Sequence, residues 1–402
     1  MTHPRSLMFV APFFIFFVLL FLFCNLQIIA ASGAFIPNAT DPENHVPNNG
    51  PTVGAESLEQ IRLENAVQKD EIQVKNVIQV MEKESFSCVG SGCYVALLGM
   101  MKEKSASASH INSPNQKNTL IWNALMVDPI VYGCISMTDC MNTGKTFQMP
   151  SELELIQPAS KIRVYASGKS KVRPKIESIT NGYTFLKENN FTSHLEWNLV
   201  ESKSFGWLTT LKHPDVSSCD DSKWPWLRNC DIDASKLVLQ DAKADEKFDT
   251  IRPTQDFVNE SFYSFNQSAF AEPMSGLAKR GYCFIPDSCG NYPCHIHIHY
   301  HHCMNVPFVS TRRPDLSPSW YPKHMGLNEW AERNRIVVIY PQLESSHMYP
   351  SNPRACFDYY GFTSHNYATP DAPQVRSIRK MKDWFRDPVK RRTVLLQKKH
   401  VT

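Results

Sequence analysis

Four histidines stand at alternate positions in the second half of the chain, at His295, His297, His299 and His301. Alternate residues of a β-strand point to the same face of a sheet, so a strand here would bring all four imidazoles together. Imidazole is a common ligand of zinc and other transition metals. The pattern is therefore compatible with a metal site. Ordinary packing in a buried strand is the competing interpretation, and the spacing alone does not decide between them.

The motifs around these histidines resemble those of the secreted poly(3-hydroxybutyrate) depolymerases. Residues 294–303, CHIHIHYHHC, are similar to the family pattern C-R-L-H-V-A-L-H-G-C. Residues 326–342 and 352–374 are similar to G-Y-N-x-W-A-D-x-N-x-I-V-V-L-Y-P-Q and N-P-x-G-C-W-D-W-W-G-Y-T-G-x-x-Y-A-T-x-x-G-P-Q. Further motifs in the same order, such as FNQSAF and GYCFIPDSC, extend the resemblance over residues 219–380. From 76 to 211 it rests more on order and spacing than on identity.

This resemblance implies an α/β protein with a circularly permuted α/β-hydrolase-like fold and a mostly parallel sheet. In the usual order of that fold, the strand that leads into the oxyanion loop precedes the nucleophile elbow. Here the corresponding strand comes late, so the elbow is expected near the N-terminus. His297 and His301 match family histidines that are not metal ligands, and neither a metal nor another cofactor is expected.

Ester hydrolysis in this family requires a serine nucleophile, a histidine base and an aspartate that orients the histidine. The elbow motif G-L-S-S-G-G-x-M-A corresponds to residues 88–96, CVGSGCYVA, and its nucleophile position holds Gly90. The aspartate position falls at Lys171 and the histidine position at Ser204. A cation at Lys171 would lower the pKa of a neighbouring histidine instead of stabilising its protonated form. The resemblance therefore predicts that the catalytic triad is absent.

The oxyanion loop also departs from the family pattern. The family's H-G-C corresponds to His301, His302 and Cys303, so an imidazole stands where glycine lets a backbone N–H approach the substrate. Remaining activity would need a rewired triad built from the nearest serine, histidine and acidic residues. These are Ser91 as the nucleophile, His194 or His213 as the base, and Glu177, Asp215 or a residue elsewhere in the chain as the acid.

The N-terminus, residues 1–33, has the pattern of a secretory signal peptide. Arg5 precedes an apolar run from Leu7 to Cys24, and the small residues Ala30 to Gly33 follow. The run is also long enough for an uncleaved membrane anchor. Both alternatives place the rest of the chain in an oxidising compartment, outside the cell or in the lumen of the secretory pathway.

The cysteines agree with such a compartment. Of twelve, one lies in the leader, so eleven remain. Closely spaced pairs predict disulfides, although connectivity does not follow from sequence. The pairs are at positions 88 and 93, 134 and 140, 219 and 230, and 289 and 294. The resemblance further implies a Cys303–Cys356 bond and leaves Cys283 as the odd thiol. Glycosylation sequons stand at Asn38, Asn190, Asn259 and Asn266.

The remaining pattern sets the domain boundaries. Residues 34–75 read as a linker and a lead-in helix, 76–384 as the depolymerase-like domain, and 385–402 as a basic tail. Strands are predicted at 161–166, 196–200, 296–300 and 336–340, with helices at 177–189 and 326–334. A net charge of +3 indicates no particular partner and gives no support for nucleic-acid binding.

These features predict a secreted or membrane-tethered relative of the depolymerases that is catalytically inactive and serves as a binding or structural module. Its partner would be an unidentified protein or an ester-polymer ligand. The alternative is an active serine hydrolase for hydroxyalkanoate-type esters that uses the rewired triad.

Overall fold

The structure is a computed structural model of the 402-residue chain. It describes residues 83–103, 122–130, 152–169, 176–221, 224–244, 246–252, 259–290, 292–305 and 316–399. The predicted leader, linker and lead-in helix, Lys171, and the cysteines at 134 and 140 lie outside these ranges. The described residues fall within one compact unit. Within them, no helix combines the length and apolar character needed to cross a membrane.

The described strands and helices are numbered in chain order. The strands are β1 (Glu84–Val89), β2 (Met101–Glu103), β3 (Trp122–Val127), β4 (Leu153–Leu155), β5 (Lys161–Ser167), β6 (Leu195–Val200), β7 (Trp207–Thr209), β8 (Ser217–Ser218), β9 (Leu227–Asn229), β10 (Phe262–Asn266), β11 (Arg280–Phe284), β12 (His295–Tyr300) and β13 (Ile336–Tyr340). The helices are α1 (Gly92–Leu98), α2 (Ile176–Glu188), α3 (Ala234–Ala242), α4 (Trp320–His324), α5 (Leu327–Asn334), α6 (Pro373–Arg386) and α7 (Pro388–Lys399). The strands and helices predicted within the described residues are present, with ends that differ by at most one residue.

An eight-stranded sheet forms the centre of the protein, in the spatial order β10-β11-β13-β12-β1-β3-β5-β6. The two pairs that involve β11 are antiparallel, and the other neighbouring pairs are parallel. The strand expected to lead into the oxyanion loop, β12, lies beside β1 although it follows β1 late in the chain. This confirms the α/β fold with a mostly parallel sheet and the permuted order of its strands.

Helices cover both faces of the sheet, as a parallel sheet requires. One hydrophobic cluster joins α1, α2 and α6 to one face, and a second joins α3, α4 and α5 to the other. Strand β1 contributes to both because its side chains alternate: Phe86 and Cys88 enter the first cluster and Val89 the second. The carboxyl ends of the parallel strands remain the edge at which ligands bind in such sheets.

The segment expected to be a basic tail contains helix α7, which packs on the domain. Its Arg391 is fully buried and donates hydrogen bonds to the carbonyl groups of Phe385, Cys289 and Tyr292. The helix is therefore tied to the connection between β11 and β12.

Four disulfides are formed within the described residues. They are Cys88–Cys93, Cys219–Cys230, Cys289–Cys294 and Cys303–Cys356. Each of these bonds was predicted from spacing or from the family resemblance. Cys283 is a buried free thiol, as expected, and burial raises its pKa well above the ordinary value.

Candidate functional site

The turn between β1 and α1 has the position and shape of a nucleophile elbow, with Gly90 at its apex. Gly90 has φ +55°, in the left-handed region that glycine adopts at little cost. Its carbonyl accepts the backbone N–H groups of Cys93 and Ile130 at 3.2 and 3.0 Å, and the Cys88–Cys93 disulfide closes the turn. The backbone of an elbow is thus retained, but its apex carries no side chain.

His302 fills the space beside this apex. A Cβ atom on Gly90 would lie 2.4 Å from Nδ1 of His302. The imidazole packs edge-on against Phe205, with ring centroids 4.6 Å apart, and Phe205 stacks on Trp226 at 4.8 Å. These four residues, Gly90, Phe205, Trp226 and His302, are called the elbow site below. A packed stack of rings occupies the place where a serine hydroxyl would project from the apex.

The imidazole of His302 is poorly suited to act as a catalytic base. Burial lowers its pKa to about 3, with smaller electrostatic contributions from His301 and Arg354. A base with so low a pKa is far from the value near the working pH that favours proton transfer. Its Nδ1 atom, which faces Gly90, has no hydrogen-bond partner among the described residues. No carboxylate therefore orients that nitrogen there.

Replacing Gly90→Ser is expected to destabilise the protein instead of creating a nucleophile. The new Cβ would meet the ring of His302, and a non-glycine residue at φ +55° is strained. Overpacking and backbone strain together predict a loss of about 2–4 kcal/mol in the free energy of unfolding, measured by urea titration.

Two further variants test this explanation: His302→Gly alone, and the double variant that combines Gly90→Ser with His302→Gly. Because His302→Gly removes the atoms that clash, the double variant should lose at least about 1 kcal/mol less than the sum of the two single losses. Additive losses would show that the two positions do not share one space.

A buried ion pair joins the carboxyl ends of β3 and β5 to β9 beside the elbow site. Asp128, which follows β3, accepts the backbone N–H and the hydroxyl of Ser167 at 2.7 and 2.8 Å. The guanidinium of Arg228 lies 3.4 Å from Asp128 and donates to Ser167 Oγ and Ser202 Oγ, both at 2.8 Å, and to the carbonyl of Ser204 at 2.6 Å. These five residues form what we call the Arg228 network.

The Arg228 network engages Asp128, which is the acidic residue closest to the elbow in the order of the strands. The side chains of Asp128 and Arg228 are each 1% exposed, and burial raises the pKa of Asp128 and lowers that of Arg228. Their mutual attraction opposes both changes, and the hydrogen bonds from Ser167 also favour the ionised form of Asp128. Sequence comparison with the family missed both residues. The sequence feature that could have identified Asp128 is its position directly after the apolar run of β3.

Ser204, the predicted histidine position, belongs to the network and not to the elbow site. Its hydroxyl donates to the carbonyl groups of Asp221 at 2.7 Å and Phe205 at 3.3 Å. The next side chain, Phe205, is the one that contacts His302. An apolar ring thus reaches the elbow from this loop, and it cannot accept a proton.

Ser91, the alternative nucleophile, is completely buried just before α1. Its Oγ lies 3.4 Å from Sγ of Cys303, and its φ of −64° is helical, so it is not at the apex of the turn. His194 is largely exposed and pairs with Glu196 at the amino end of β6. Since β1 and β6 run in the same direction, His194 lies at the edge of the sheet opposite the elbow.

The other residues of the rewired triad have separate surroundings. Nδ1 of His213 accepts the backbone N–H of Asp215 at 3.1 Å, and its ring contacts Trp320 and His324. Glu177 is exposed in the first turn of α2. None of these contacts joins Ser91 to a histidine.

The alternating histidines form part of a buried row of hydrogen bonds in the core. His297 contacts Ser85 through Nδ1 at 2.8 Å and Ser87 through Nε2 at 2.9 Å. His299 contacts Ser87 through Nδ1 at 2.8 Å and the hydroxyl of Tyr321 through Nε2 at 3.1 Å. Both nitrogens of each ring are therefore used within the protein.

The two outer histidines have other partners. His295 pairs with Glu246 at 2.9 Å, and Nδ1 of His301 donates to the carbonyl of His302 at 2.7 Å. Across the described part of the chain, no group of three or more histidine, cysteine or acidic side chains is arranged to hold a metal. The row instead supplies hydrogen bonds between β1, β12 and α4.

Asp358 organises its own loop. Its carboxylate accepts backbone N–H groups between Tyr360 and Thr363, the shortest from Gly361 at 2.7 Å, together with the hydroxyl of Thr363. The preceding Cys356 ties this loop to Cys303 and so to the oxyanion segment.

Comparison with known proteins finds relatives of this chain, although no family model matches it. The chain is 27% identical over 173 residues to a poly(3-hydroxybutyrate) depolymerase of Delftia acidovorans, a match that covers 42% of this chain and 31% of that protein. It is 26% identical over 165 residues to a polyhydroxybutyrate depolymerase of Talaromyces funiculosus, covering 37% and 44%. The chain thus spans less than half the length of either curated relative.

Two solved structures show the same fold. One is a PHB depolymerase variant complexed with an R3HB trimer, with a TM-score of 0.58 and 18% identity. The other is a PHB depolymerase from Penicillium funiculosum, with a TM-score of 0.56 and 16% identity. Each comparison covers 75% of this chain and 95% of the solved chain. The chain is therefore a relative of the poly(3-hydroxybutyrate) depolymerases and carries their α/β-hydrolase-like fold.

Proposed function

We propose that this protein is a secreted or membrane-tethered, catalytically inactive relative of the depolymerases that acts as a binding or structural module. The observation that carries the proposal is the imidazole of His302, which occupies the space that a side chain on Gly90 would need. A nucleophile cannot project from the elbow while this ring is in place.

The neighbouring groups support the same conclusion. Acyl transfer needs a nucleophile, a base and hydrogen-bond donors aimed at the developing oxyanion. At the elbow site the nucleophile position is glycine, Phe205 faces the elbow as an apolar ring, and Asp128 is held by Arg228. When residues that act as a unit are lost together, little more than binding remains.

Secretion is supported by the four disulfides of the described residues, because such bonds persist in oxidising compartments. One structural neighbour is described as complexed with an R3HB trimer. By analogy, an ester polymer of hydroxyalkanoate units is the ligand proposed first for this chain, and an unidentified protein is the other.

The test is to incubate the purified secreted protein with poly(3-hydroxybutyrate) granules and measure both pelleting and release of soluble acid. We expect pelleting with the granules and acid release no greater than from granules alone. A Ser91→Ala variant is the matched control and should behave identically. Acid release by the wild type that disappears in Ser91→Ala would contradict inactivity, whereas failure to pellet would contradict polymer as the ligand.

A further inference from the structure

A small crevice lies between helices α1 and α6, above strands β1 and β12. Its volume is about 30 Å³, and aliphatic and aromatic side chains, including Phe86, Val95, Ile298 and Ile378, form most of its lining. Two cationic residues of α6, Arg379 and Lys382, complete it. None of the residues of the elbow site or of the Arg228 network lines this crevice.

The two cationic residues differ in whether an acidic side chain balances their charge. Lys382 lies 3.0 Å from Oε2 of the buried Glu84, whose other oxygen is contacted by Arg386. The remaining nearby acid, Asp383, is exposed and pairs with Arg386 at 3.6 Å. Arg379 has no acidic partner among the described residues, so the crevice carries an uncompensated positive charge beside an apolar floor.

The size of the crevice limits what it can hold. A water-sized group needs roughly 10–15 Å³ on this scale, so about 30 Å³ accommodates two or three methylene-sized groups. A longer chain or a polymer would not fit inside. One positive charge matches a monoanion, and apolar walls match a short aliphatic tail.

We propose that this crevice binds a short-chain carboxylate of about four carbons, with its carboxylate group at Arg379 and its alkyl tail against Phe86, Val95 and Ile298. Burial of the tail and the charge-assisted hydrogen bond from the guanidinium favour binding together. The proposal is independent of the proposed function, because the crevice shares no residue with the elbow site.

The test is a saturation-transfer NMR titration of the full secreted protein with sodium butyrate. We expect saturable binding with a dissociation constant on the order of 1 mM, as befits so small a ligand. Arg379→Gln should weaken binding at least tenfold. Arg376→Gln on the same helix is the matched control and should not change it, because Arg376 pairs with Glu272 away from the crevice.

Two other probes separate charge from shape. Inorganic phosphate has the charge without the tail, and 1-butanol has the tail without the charge, so both should bind at least tenfold more weakly than butyrate. Ala96→Val adds bulk to the crevice wall and should weaken butyrate binding even if Arg379→Gln fails to fold. The proposal is overturned by absence of saturable binding, by unchanged binding in the folded Arg379→Gln or Ala96→Val variants, or by phosphate binding as tightly as butyrate.

Discussion

Lowering the pH from 7.5 to 5.5 is expected to reduce the free energy of unfolding by about 3–5 kcal/mol. Four buried histidines cause this loss: His297, His299, His301 and His302. Burial lowers the pKa of His297 and His302 to about 3 and that of His301 to about 4, and it lowers the pKa of His299 well below its ordinary value.

The direction follows from proton binding. These imidazoles stay neutral in the folded protein, whereas in the unfolded chain they become protonated below about pH 6.5. The unfolded state therefore binds more protons as the pH falls, and each histidine removes about 1.4 kcal/mol per pH unit below that value. The stabilisation is complete above the unfolded-state pKa and is lost as the pH falls towards the folded-state values. Glu332, whose pKa burial raises to about 7, offsets part of the loss.

Urea titrations at pH 7.5, 6.5 and 5.5 measure this dependence. His302→Leu should reduce the pH slope by about one proton, because it removes one buried imidazole whose Nδ1 has no partner in the described residues. His194→Gln, at a largely exposed position, is the control and should change the slope less than His302→Leu does, because burial is the cause of the effect. A slope in the wild type that His302→Leu does not alter would show that this imidazole is not held neutral by the fold.

Arg228→Met is expected to destabilise the protein strongly, with a loss of about 3–5 kcal/mol in the free energy of unfolding. It would leave Asp128 buried without its cation and would remove the guanidinium N–H groups that Ser202 Oγ and the carbonyl of Ser204 accept. Uncompensated buried charge costs far more than a surface ion pair is worth. Urea titration at pH 7.5 provides the measurement.

The matched control is Arg333→Met, the same change at an exposed ion pair with Asp249. There the expected loss is below about 1 kcal/mol. Adding Asp128→Asn to Arg228→Met should recover part of the stability because the unpaired charge is removed. Equal losses for the two arginine substitutions would contradict a structural role for the Arg228 network.

The sequence was sufficient for the fold where apolar runs or alternation were strong, as in β12 and β13. It was not sufficient for β3 (Trp122–Val127), because Ala124, Leu125 and Met126 are also good helix formers. The strand conformation of this segment is stabilised by pairing with β1 and β5, which are distant in sequence. Asp128 was missed together with the strand that positions it.

The candidate site was predictable in part. The departures from the family pattern at Gly90 and His302 could each be identified from their motifs. The motifs could not predict that the side chain of His302 fills the space beside Gly90. That relation depends on β1 and β12 being neighbours in the sheet. Helix α3 could have been found, since Asp233 caps it by accepting the N–H of Lys236 before a helical apolar pattern.

The central claim is that the hydrolase fold remains while its nucleophile is gone. The most direct test is to treat the folded, secreted protein with a fluorophosphonate probe, which reacts with activated serines, and to map any adduct by mass spectrometry. We expect no labelling above that of the Ser91→Ala variant. Stoichiometric labelling at Ser91, abolished in Ser91→Ala, would contradict the account and show that a serine next to the apex performs the chemistry.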